Sequence, residues 1–129
     1  MNITQISVFL ENRPGRLAHL LTVLSDAGIN LRALAVADTA DFGIVRIIVD
    51  DVDQAISAIH AAGLTAATTS VLRVEVPDTP GALEKSVIGP LSDAGVNIEY
   101  LYAYSETTET SAIVVLKVDD LTKANKALA

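Results

Sequence analysis

The segment Glu11-Asn12-Arg13-Pro14-Gly15-Arg16-Leu17, followed by Leu24-Ser25-Asp26-Ala27-Gly28-Ile29-Asn30, has a counterpart farther along the chain. There it reads Pro77-Asp78-Thr79-Pro80-Gly81-Ala82-Leu83 and Leu91-Ser92-Asp93-Ala94-Gly95-Val96-Asn97. Pro14 and Pro80 are 66 positions apart, Gly28 and Gly95 are 67 apart, so the second copy carries one extra residue. A repeat of this period restricts the fold more than any other feature, because each copy must be one supersecondary unit. Units of about 60–65 residues bury little surface alone. They are therefore expected to pack on each other or on a second chain.

Within the first copy, Ile3 to Leu10 alternates as a strand with Ile6, Val8 and Leu10 on one buried face. Asn12 to Gly15 is a turn, with Pro14 suited to a helix start and Gly15 allowing close backbone approach. Leu17, Leu20, Leu21 and Leu24 form an i, i+3, i+4, i+7 helix stripe, closed by Gly28 as a left-handed cap. Ile29 to Val36 and the aliphatic Ile44 to Val49 follow as strands, the latter central, with a turn at Asp38–Asp41. Asp50, Asp51 and Asp53 offer capping carboxylates for a helix carrying Val52, Ile56 and Ile59, which Gly63 ends. Thr65 to Val76 reads as one long strand, the last of the first unit and the first of the second.

The second copy repeats the order with two differences. Gly89-Pro90 interrupts its first helix (Leu83, Val87, Ile88, Leu91), where proline predicts a kink or bulge near the extra residue. Strands at Val96–Tyr104 and Ala112–Val118 flank a turn at Ser105–Thr110, and a helix opens at Asp119-Asp120-Leu121. Counterparts of Ala61 to Ser70 are missing, so either the second unit ends early or another strand fills its edge.

Composition removes several classes of function. A net charge of −7 opposes nucleic acid, whose binding rests on neutralising phosphates with Lys and Arg. No apolar run approaches the roughly 18–20 residues of a membrane span. The start, Met1-Asn2-Ile3-Thr4-Gln5, reads as a strand rather than a leader. With no cysteine there is neither a disulfide framework nor a thiol nucleophile. These features lead to the expectation of a cytoplasmic protein without a cofactor.

The two Pro-Gly corners, each followed by Ala-Gly-Ile/Val-Asn before the second strand, resemble ACT domains, small ligand-binding modules with a ferredoxin-like fold. The first copy looks like the serine-binding ACT domain of phosphoglycerate dehydrogenase; Pro77-Asp78-Thr79-Pro80-Gly81 is more similar to regulatory segments of aspartokinases. The resemblance implies an α+β fold of two tandem ferredoxin-like βαββαβ units, the second lacking its last strand. Antiparallel sheets would carry helices on one face, with domains at residues 1–70 and 71–129. It further implies a non-catalytic regulatory protein that holds a free amino acid between the first strand–helix turn of one unit and the second strand of a facing unit. A homodimer and a regulated enzyme partner are implied as well.

The ligand residues implied by the resemblance are Asn12, Arg13, Pro14, Gly15 and Asn30 in the first copy, and Asp78, Pro80, Gly81 and Asn97 in the second. Helix-opening amides would attract a carboxylate. An asparagine can both accept from an ammonium and donate to a carboxylate, whereas ionised Asp78 can only accept. Equally, Asn12 could serve as a backbone cap and Asn30 as a contact at the helix end. Two other functional classes are a ligand-free assembly module and a small enzyme using the cleft between units, although no nucleophile–base pair is visible.

Other signals have plainer accounts. His19 and His60 lie on different helices and lack the convergent ligands of a metal site. Asp41-Phe42-Gly43 matches a kinase magnesium motif but lacks the accompanying loops, and reads as hairpin residues. Arg46 is either an ion-pair partner at an interface or a solvated residue. The aromatics that a ferredoxin-like RNA binder needs on its first and third strands are absent apart from Phe9. Tyr100, Tyr102 and Tyr104 alternate on one face, for packing or as walls of a pocket.

Overall fold

A computed structural model of the chain describes residues 1–38, 42–105 and 111–129. Most of the two hairpin turns expected at Asp38–Asp41 and Ser105–Thr110 lies outside the described residues. The order is β1 (Asn2–Glu11), α1 (Arg16–Asp26), β2 (Leu31–Asp38), β3 (Phe42–Val49), α2 (Val52–Ala61) and β4 (Thr65–Pro77). A π-helical turn (Glu84–Ile88), α3 (Gly89–Asp93), β5 (Ile98–Tyr104), β6 (Ser111–Val118) and α4 (Leu121–Leu128) complete it. Thr4–Thr69 forms one compact unit, and Met1–Ile3 with Ser70–Ala129 the other. The fold is α+β, with ferredoxin-like antiparallel sheets.

In the N-terminal unit β3 pairs antiparallel with both β1 and β2, giving it the central place its aliphatic sequence suggests. Ile6 faces Ile47 and Val8 faces Val45 across that ladder, so these side chains share a sheet face. Leu20 and Leu24 of α1 and Ala55 and Ile59 of α2 cover it. The C-terminal unit has the order β4-β6-β5 and an equivalent core of Leu72, Val76, Val114 and Leu116 under Val87, Leu91 and Ala124. Val45, Ile47, Val49 and Ala55 correspond to Val114, Leu116, Val118 and Ala124, each 69 positions on. The repeat therefore extends to the packing.

Four local findings sharpen the expectations. First, Gln5 and Ser7 point away from Ile6 and Val8 yet are 0% and 9% exposed, with Gln5 Nε2 donating to Ser7 Oγ at 3.4 Å. β1 thus buries both faces over this stretch. Second, the expected apolar stripe of the second copy holds at Val87 and Leu91, but Leu83 is 38% exposed and Ala82 lies in the core instead.

Third, the extra residue is absorbed by the π-helical turn, where the Gly89 N–H donates to the Glu84 carbonyl five residues back. Pro90, which follows, has no N–H to continue an α-helical ladder. A Cβ on Gly89 would sit 3.0 Å from that carbonyl oxygen, so the wide turn itself calls for glycine. Fourth, the vacant edge of the second unit is filled from the chain's own start. The Met1 carbonyl accepts from the Arg73 N–H at 2.8 Å, and Asn125 Nδ2 donates to Asn2 Oδ1 at 2.8 Å.

The aspartate clusters divide their work. Asp51 caps α2 by accepting from the Gln54 N–H at 3.0 Å, and Asp120 caps α4 through the Lys123 N–H at 2.9 Å. Asp50 and Asp119 are turned elsewhere, so the expectation that the whole cluster caps is corrected to one carboxylate per helix. Removing a cap of this kind costs about 1 kcal/mol. Asp51→Ala and Asp120→Ala are each expected to lower stability by about that amount in urea melts, with an unchanged m-value.

Candidate functional site

Each unit builds the same corner between its first strand and first helix. In the N-terminal unit the Arg13 N–H donates to the Glu11 carbonyl at 2.8 Å, Arg16 to Arg13 at 3.3 Å, and His19 to Gly15 at 3.0 Å. In the C-terminal unit Thr79 donates to Pro77 at 2.9 Å, Ala82 to Thr79 at 3.2 Å, and Lys85 to Gly81 at 3.1 Å. Gly15 and Gly81 hold φ at 87° and 81°, a left-handed conformation that side chains with a Cβ rarely adopt. Open space surrounds both positions where a Cβ would stand.

At the start of α1 this geometry leaves helix-opening amides without acceptors among the described residues. Gly15 is the N-cap of α1 and supplies no side-chain cap. The N–H groups of Leu17 and Ala18 find no acceptor among the described residues. A helix start with unpaired amides and the positive end of the dipole favours an anionic group. Asn12, Arg13 and Pro14 are exposed beside it, and the Arg13 guanidinium is held by Glu11 at 3.0 Å.

Arg16 was not singled out by sequence reading. Its Nε is buried with no hydrogen-bond partner among the described residues. Arg16 is the first residue of α1, directly after the Gly15 corner. A cation in the first turn opposes the helix dipole, and no acidic residue there compensates it. That mismatch was the signal available in the sequence. The second corner differs in charge, with Asp78 exposed and Glu84 in the following turn.

Asn30 and Asn97 lie at the other end of the first helix in each unit. Gly28 and Gly95, with φ of 73° and 72°, reverse the chain there, and the N–H groups of Ile29 and Val96 reach back to Leu24 and Leu91 at 2.9 Å. Helix α1 spans 11 residues, roughly 16 Å at about 1.5 Å per residue, so one unit does not bring its own Asn12 and Asn30 together. Asn30 is exposed and lines a shallow depression of about 400 Å³ with Leu21, Leu24, Ser25, Ile29 and Leu31. The Asn97 N–H instead donates to Asp119 Oδ1 at 3.0 Å.

Directly after each asparagine the strand register shifts, between Leu31 and Ala33 and between Ile98 and Tyr100. Such irregularities re-aim a side chain. Here they present Arg32 to Asp50, with Nη2 2.7 Å from Oδ2, and Glu99 to Lys117 at 3.1 Å. The hydrogen bond from Arg32, opposed by desolvation and aided by the guanidinium charge, holds the Asp50 carboxyl below the usual carboxylate range. A depressed folded-state value means that the pair's contribution is present above the unfolded pKa and fades as pH falls through the folded one. In Arg32→Gln the Asp50 titration midpoint, followed by carboxyl NMR, is expected to rise toward the ordinary value. Stability near neutral pH should change little for so exposed a pair.

Tyr100, Tyr102 and Tyr104 share the face opposite the core and are half-buried. Arg46 is half-buried opposite Ser7 and Ala35. Among the described residues no group of three potential metal ligands converges, and no helix is long and apolar enough to cross a membrane.

Comparison with known proteins agrees with this architecture. A crystal structure of a protein from Bacteroides thetaiotaomicron is 41% identical, covers 99% of this chain and 87% of its own, and superposes with a TM-score of 0.92. The ligand-free regulatory subunit of aspartate kinase from Thermus thermophilus is 18% identical over 99% of this chain and 91% of that one, with a TM-score of 0.67. The corresponding subunit from Thermus flavus gives 19%, 99%, 91% and 0.68. At such identities these two share the fold. No curated protein sequence matches. The sequence profile of the ACT domain pair matches residues 1–129, and the chain belongs to that family.

Proposed function

We propose that this ACT domain pair, with units at residues 1–70 and 71–129, is a non-catalytic cytoplasmic sensor of a free amino acid. In this reading the ligand's carboxylate docks at a Pro-Gly corner. Its other end meets the second strand of a facing unit in a second copy of the chain, so the working form is a homodimer. The observation carrying this reading is the pair of exposed corners with matching backbone geometry and uncapped amides at the first helix start. A helix start of this kind suits a carboxylate.

The need for a facing unit follows from the separation of Asn12 and Asn30 along α1. The outer strands β2 and β5 carry Leu34 and Leu101 at equivalent positions, both 41% exposed. Apolar edge strands are templates for pairing with another chain. Ligand binding would shift the population of the associated form, and a partner enzyme would respond to that shift.

Calorimetric titration with each of the twenty amino acids tests the proposal. At least one should bind, and Asn12→Ala and Asp78→Ala, made separately, should show which corner it uses. Absence of heat with every amino acid, at concentrations where the chain is folded and dimeric, would remove the sensing role and favour a ligand-free assembly module.

A further inference from the structure

We draw no further inference here: the strongest candidate, the apolar surface patch of Phe9 and Phe42 on the helix-free face of the N-terminal sheet, 41% and 55% exposed, carries nothing because no feature of the structure shows what covers it.

Discussion

At a hundred times its dissociation constant, the cognate amino acid is expected to raise the melting temperature of this chain by roughly 10 °C. The size follows from mass action. A ligand that binds only the native state adds RT ln(1 + [L]/Kd), about 2.7 kcal/mol at that excess. For a chain of this length each kcal/mol shifts the melting temperature by roughly 3–5 °C. If the ligand also joins two copies, the shift should grow with protein concentration, because association and binding then stabilise the same state. Thermal unfolding at two protein concentrations, with and without ligand, separates these contributions.

The second large effect concerns the matched cores. Ile47 and Leu116 are equivalent residues, both 0% exposed, each a member of its own unit's core cluster. Truncating such a side chain to alanine loses its transfer free energy and leaves a cavity, together about 2–5 kcal/mol. Ile47→Ala and Leu116→Ala should therefore each lower the melting temperature by roughly 10 °C or more. If the units were unequal partners, with one a passive appendage, one substitution would broaden the transition and spare most of it. Matched losses from the two substitutions, followed by calorimetry, are the expected result.

Much of this architecture is legible in the sequence. The Pro-Gly corners and the Ala-Gly-aliphatic-Asn helix ends could be read because glycine at positive φ and proline at a helix start leave few other conformations. The interruption at Gly89-Pro90 was readable for the same reason, and the π-helical turn at Glu84–Ile88 is its outcome. The chain's family followed from those motifs.

Features that depend on distant partners were not legible. Alternation along β1 marks one face as buried, but burial of Gln5 and Ser7 depends on what covers the other face. Met1 meets Arg73 across 72 positions, a pairing no local pattern announces. Asp50 and Asp51 look alike in sequence. Only backbone direction decides that one meets Arg32 and the other caps α2. At the site, the corner residues are readable as turn chemistry, whereas the burial of Arg16 Nε, without a hydrogen-bond partner among the described residues, depends on tertiary packing.

The central claim is that the corner amides receive a small zwitterion. Amide-resolved NMR of the uniformly labelled chain, titrated with the amino acid that gives the largest thermal shift, tests it most directly. Saturable shifts concentrated at Gly15 to Ala18, or at Gly81 to Glu84, are predicted, together with shifts around Gly28 to Leu31. A clear thermal stabilisation that leaves both corners unshifted would contradict the account.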